Sequence, residues 1–117
     1  MSALALGIDL GGTKVEAALV DASGAVVRAS RFRTPTGPLA TSADLEAAVR
    51  SVIASSLAYL PAGAELIGVG VGSAGPISVV DGRVSPLNLP VWRDYPFRDL
   101  VASAVPEGIP VVLRMDG

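Results

Sequence analysis

The sequence predicts an α/β fold, a mixed sheet that starts as a β-meander and continues through helix-linked strands. Three observations carry this expectation. The first third holds short apolar segments joined by tight turns. A later stretch repeats its apolar residues at spacings of three and four. Apolar runs of strand length then follow it. The 117 residues match one domain on the usual scale of about 100–200 residues each.

Ala3 to Asp9 is an apolar run that ends at Gly11-Gly12, which reads as a buried strand. Val15 to Val20 reads as a second strand after a glycine-bearing turn. Asp21-Ala22-Ser23-Gly24 is a turn signal, and Ala25 to Phe32 is expected as a third strand, with Thr34 to Pro38 as a loop. The period then changes. Leu45, Val49, Val52, Ile53, Leu57 and Leu60 mark one apolar face of a helix. Thr41 or Ser42 is its N-cap, Asp44 sits favourably in the first turn, and Pro61 stops it. Glu65 to Val71 is apolar nearly throughout, as expected of a central strand covered on both faces. Ile77 to Val80 and Arg83-Val84 read as a hairpin with Asp81-Gly82 as a two-residue turn. Ser85 to Pro96 is a proline-bearing loop, in which Trp92 is expected to anchor the loop on the core. Phe97 to Val105 is a short helix and Pro110 to Arg114 a last strand. No repeat or linker interrupts the chain.

Composition excludes several chemistries. With no cysteine and no histidine, disulfides, thiol catalysis, His-based triads and most zinc sites are ruled out. The net charge is −2, with one lysine, Lys14, and eight arginines that form no basic stripe, which speaks against nucleic-acid binding. No basic amphipathic helix, signal peptide or transmembrane run is visible, so no membrane partner and a cytoplasmic location are expected. The mean hydropathy of +0.55 is high for a soluble domain and suggests apolar surface that needs a partner.

The sharpest motif is Asp9-Leu10-Gly11-Gly12-Thr13-Lys14, placed between two strands and holding the only lysine. Glycines let the backbone approach a ligand, and successive amides in such a turn can cradle phosphate oxygens. Thr13 adds a hydroxyl and Lys14 a charge. Asp9 could hold Mg²⁺ through a water. It is not a Walker loop, because the glycine spacing and the Lys-Ser/Thr order are wrong and a strand follows. Gly70-Val71-Gly72-Ser73-Ala74-Gly75 matches the dinucleotide fingerprint by letter, but Pro76 and a hairpin follow where a helix is required. Asp116 follows an apolar strand, where ligands usually bind in open α/β sheets, yet Asp116-Gly117 is also a common turn pair. Asn88 is a binding residue or a turn former.

These residues together resemble the ROK-family sugar kinases, the group that includes many bacterial glucokinases. GIDLGGTKVEAALVD looks like the family's opening. GVGVGSAGP, SPLNLPVW and PVVLRMDG are similar to three further family stretches in the same order. The resemblance implies the RNase H-like lobe of the actin/hexokinase-like fold, here the N-terminal lobe over residues 1–117, with the C-terminal lobe outside this sequence. It implies ATP and Mg²⁺ as cofactors and a sugar as substrate. Asp9, Gly11, Gly12, Thr13 and Lys14 then lie at the ATP phosphates, with Asp9 toward Mg²⁺. Gly75, Pro76 and Asn88 lie toward the sugar, and Asp116 is the general base that also touches it. The family's zinc site belongs to the other lobe.

Three positions depart from the family pattern. Met115 stands for an asparagine that binds the sugar, Gly117 for an alanine and Val91 for a glycine. Methionine cannot make the asparagine's hydrogen bonds. The expected function is the nucleotide- and sugar-binding lobe of an ATP-dependent hexose kinase, inactive alone. It would self-associate or pair with a second lobe. The alternative is a non-catalytic ROK-type sugar-sensing or interaction module. No helix-turn-helix precedes the first strand, which favours kinase ancestry over a repressor.

Overall fold

The structure, a computed structural model, describes residues 2–115. Its centre is a five-stranded mixed sheet in the order β3-β2-β1-β4-β7. Strands β1 (Ala3–Leu10), β2 (Lys14–Asp21) and β3 (Phe32–Pro35) form the antiparallel meander. β4 (Glu65–Ser73) and β7 (Val111–Met115) add in parallel on the other side of β1. Between β4 and β7 lie a small hairpin of β5 (Ile77–Ser78) and β6 (Arg83–Val84) and the helix α2 (Phe97–Ala104). The long helix α1 (Ser42–Leu57) connects β3 to β4.

α1 starts where the sequence places it. Thr41 Oγ1 accepts the Asp44 amide at 3.1 Å and Asp44 Oδ2 accepts the Thr41 amide at 3.1 Å, so two orphan donors are satisfied reciprocally. The helix ends at Leu57, before Pro61, and two tight turns carry the chain to Leu60. Both helices pack on one face of the sheet. That face presents Leu6, Ile8, Leu10, Val15, Leu19, Val69, Val71 and Leu113, all buried.

Three expectations are corrected. The segment from Ala25 to Arg31 is not a strand. Val26 makes a single bridge to Val20, and residues Arg28–Ser30 form a 3-10 turn. The reason is Ser30, whose buried hydroxyl accepts the Leu19 amide at 2.8 Å and so replaces a ladder partner. Ser56 of α1 in turn donates to the Ser30 carbonyl at 2.7 Å, which fixes the turn on the helix. The strand begins only at Phe32 and runs into the stretch expected as loop.

β4 is covered on one face, not both. Gly68, Gly70 and Gly72 occupy its other face, and Ile67 is 53% exposed. The apolar run hid this because the uncovered face is mostly glycine. A register shift at Leu4/Ala5 leaves Ile67 as the extra residue, which lets both Leu66 and Val69 face the core. The third correction concerns the hairpin. Its last pair is Ser78 with Arg83, so the loop is residues 79–82 rather than two residues. Gly82 closes it at φ 69°, and a Cβ there would meet the Arg98 side chain at 2.6 Å. Both facts demand glycine.

Trp92 anchors the loop from Ser85 to Pro96. It is fully buried, stacks on Tyr95 with centroids 3.9 Å apart, and donates Nε1–H to Ser42 Oγ at 2.8 Å. The Tyr95 hydroxyl donates to the Glu46 carboxylate of α1, and burial together with that carboxylate raises the phenol's pKa. Trp92→Ala is expected to cost about 3–5 kcal/mol of a total that is about 5–15 kcal/mol for such domains. Urea unfolding measures this, and a loss under about 1 kcal/mol would show that the loop is held by something other than the ring.

Candidate functional site

The parallel strands β1, β4 and β7 all end on one edge of the sheet, and the glycine-rich turns open from that edge. Register pairs Asp9 with Gly72 and Leu10 with Ser73, and Ser73 with Met115. The Ala74 amide donates to the Leu10 carbonyl at 2.9 Å, so the two glycine-rich stretches run side by side. No helix follows Gly75. β5 does, as expected when the dinucleotide reading was rejected.

The turn between β1 and β2 is closed by the Gly11 amide donating to the Lys14 carbonyl at 2.9 Å. Gly11's amide is thus used by the turn itself. The amides of Gly12 and Thr13 donate to no described acceptor, which leaves two adjacent donors for a ligand oxygen. Lys14 begins β2 with its side chain exposed and in no ion pair among the described residues. Asp9 is exposed, and its carboxylate accepts from no described donor. Both are therefore available. A divalent cation would find the exposed Asp9 carboxylate here, and no cluster of three metal-ligating side chains exists among the described residues.

Two residues brace this turn. Thr36 donates its amide to the Thr13 carbonyl at 2.8 Å and its hydroxyl to the Gly11 carbonyl at 3.2 Å. Asn88 gives its side-chain amide to the Gly12 carbonyl across 76 residues of sequence. A Cβ at Gly12 would stand 2.8 Å from the Asn88 Cβ, so the glycine is required by this approach. Asn88 Oδ1 accepts from no described donor and remains free. The Gly75–Pro76 bond is cis, and the Pro76 carbonyl accepts the Ser85 amide at 2.9 Å. The turn after β4 and the loop carrying Asn88 are thus tied together. Asp116 lies outside the described residues.

Sequence reasoning overlooked Thr36 and Glu16. Thr36 lies in a loop with no motif signal. Glu16 sits opposite Asp9 in the β1–β2 register, on the face that the helices leave open. A strict alternation from Val15 would have found it. Its Oε2 accepts from Arg31 Nε at 2.8 Å, and its Oε1 is buried without a described partner. Across the open face the register lines up Arg114, Gly72, Asp9, Glu16 and Arg33 in one row. Below that row is a shallow cavity of about 320 Å³ floored by Gly7, Ala18 and Gly70.

The Gly12–Asn88 contact generates a test. Gly12→Ala is expected to cost about 1–3 kcal/mol by overpacking, and Asn88→Gly about 0.5–1.5 kcal/mol for the lost hydrogen bond. The double variant should lose less than the sum by about 0.5 kcal/mol or more, because Asn88→Gly removes the Cβ that the new methyl group would meet. Thermal or urea unfolding of the four proteins measures the coupling, and additivity would mean the two residues do not touch.

Comparison with known proteins finds relatives over nearly the whole chain. The ROK family profile matches residues 5–116. A glucokinase of Streptomyces coelicolor is 33% identical over 113 residues, which is 97% of this chain and 32% of the relative. An N-acetylmannosamine kinase of Yersinia pseudotuberculosis is 34% identical over 115 residues, 96% of this chain and 35% of the relative. Among solved structures, a ROK family glucokinase from Streptomyces griseus in complex with glucose and AMPPNP superposes with a TM-score of 0.75 at 32% identity, covering 96% of this chain and 33% of that one. The chain therefore spans about a third of the length of these relatives. Its fold is that of the actin/hexokinase-like sugar kinases, and the chain belongs to the ROK family.

Proposed function

We propose that this chain is the N-terminal, ATP-phosphate- and sugar-binding lobe of an ATP-dependent hexose kinase. The observation that carries the reading is the meeting of three segments at one sheet edge: the Asp9–Lys14 turn, the Gly72–Pro76 turn and the Asn88 loop. The glucokinases among its relatives, one of them solved with glucose and AMPPNP, support the same reading.

In this reading the free amides of Gly12 and Thr13, the Thr13 hydroxyl and the Lys14 ammonium hold phosphate oxygens, while Gly11 lets the turn close. Asp9 fits a hydrated Mg²⁺, since its carboxylate is exposed and otherwise unpartnered. Mg·ATP supplies the phosphoryl group to be transferred. Such transfer needs positioning and charge stabilisation more than covalent help. Gly75, Pro76 and the free Oδ1 of Asn88 orient the sugar. Asp116 takes the proton from the accepting hydroxyl. The rest of the machinery belongs to a second lobe, and the open sheet face is covered by that lobe or by a second copy of this chain. Light scattering that finds only monomer at high concentration would exclude the second copy.

Calorimetric titration of the chain with Mg·ATP, with Lys14→Ala as control, tests the phosphate turn. Binding that disappears in the control is the expected result, and no binding by the parent chain would make this lobe incompetent for nucleotide by itself. In a two-lobed kinase carrying this lobe, Asp116→Ala is expected to lower kcat by about 10²–10⁴-fold with sugar binding weakened far less. An unchanged kcat would remove Asp116 from the reaction.

A further inference from the structure

The edge of the sheet at β3 carries cations that the site above does not use. Arg28, Arg31 and Arg33 fall within six residues of a chain whose net charge is −2. They line a surface cavity of about 320 Å³, and every described residue lining it is an arginine. Arg31 gives Nε–H to Glu16 and keeps its terminal nitrogens. Arg28 and Arg33 donate to no described residue. By contrast Arg50, Arg83, Arg93 and Arg98 each hold a described acceptor. Glu16 is the only carboxylate among the described residues in an ion pair with any of the three. Among the described residues one carboxylate thus pairs with one of the three guanidinium groups, through one oxygen only, and the other two groups have none.

Guanidinium forks match phosphate oxygens two at a time, so several forks around one cavity suit an anion with more than one phosphate group. A nucleic-acid strand would also want an aromatic platform for its bases, and no aromatic side chain lines this cavity among the described residues. The location is distinct from the glycine turn. Register pairs Glu16 with Arg33 and Lys14 with Pro35, which sets Arg33 one pleat repeat, about 7 Å, further along the strands than Lys14. We propose that Arg28, Arg31 and Arg33 form a binding site for a condensed phosphate anion such as pyrophosphate or tripolyphosphate. The site stands whether or not the chain is a kinase lobe.

The test is an NMR titration of the ¹⁵N-labelled 117-residue chain with sodium tripolyphosphate, at ionic strength held constant with sodium chloride. Saturable shifts are expected at the amides of residues 28–33 and at their arginine Nε–H signals. Arg28→Ala/Arg33→Ala should weaken binding at least about tenfold, Arg28→Lys/Arg33→Lys should weaken it less, and Lys14→Ala should leave it within about twofold. Shifts confined to residues 11–14 and lost in Lys14→Ala would overturn the proposal, as would the absence of saturation. A single-stranded oligonucleotide at equal phosphate concentration that binds residues 28–33 more tightly would overturn the ligand class. Localisation in the parent chain decides the matter even if a variant fails to fold.

Discussion

Leu10 and Ala74 share one backbone hydrogen bond of 2.9 Å, at the point where the parallel ladder of β1 and β4 gives way to loops. The geometry of the candidate site follows from that pairing. Among the described residues β1 is the only strand hydrogen-bonded on one side to the antiparallel meander and on the other to a parallel strand. Its C-terminal end therefore meets the turn into β2 and the turn out of β4 at once. Two glycine-rich stretches separated by some sixty residues become neighbours through strand register alone. The side-chain braces come second. Asn88 reaches Gly12 from a loop that Trp92 holds on α1, and α1 is in turn packed on β2 and β3.

Much of this was legible in the sequence, for identifiable reasons. β1, β2, α1, α2 and β7 are marked by apolar runs, helical spacing or flanking proline and glycine, and each stands within a few residues of its expected bounds. The glycine turn was legible because an unusual string, Asp9 to Lys14, follows a buried strand. What failed was information held by single polar side chains. Nothing in the composition of Ala25 to Arg31 reveals that Ser30 takes the Leu19 amide, because that bond depends on Ser56, which comes 26 residues later. The one-sided burial of β4 was missed because glycine counts as neither polar nor bulky in an apolar run. Asn88 stood between binding and turn formation. It in fact joins the two loops, a role that only the register of distant elements creates.

The sheet's two faces are built for different company. The helix side carries Leu, Ile and Val that fill a core. The open side, away from the charged row, carries Ala5, Gly7, Ala18, Gly68 and Gly70, with Val20, Ile67 and Val112 toward its margins. A floor of glycine and alanine offers little area to bury, but it lets another backbone come close. Such a surface gains from a partner chiefly by close packing.

The row of charges that bounds the floor constrains what can lie on it. Asp9 and Glu16 are direct cross-strand neighbours of like sign, an arrangement that is unfavourable by itself. Arg31 relieves it at the exposed edge, where a pair with 57% and 18% side-chain exposure contributes at most about 1 kcal/mol. Relief from that side leaves Glu16 Oε1 buried and Asp9 without a partner. The residual negative charge therefore sits at the centre of the row, beside the glycine turn, while the surplus positive charge sits at the β3 edge. A cation near Asp9 and an anion among the arginines each remove part of the same imbalance. Binding at either place should then favour binding at the other, through the charge on Glu16 rather than through any change of fold.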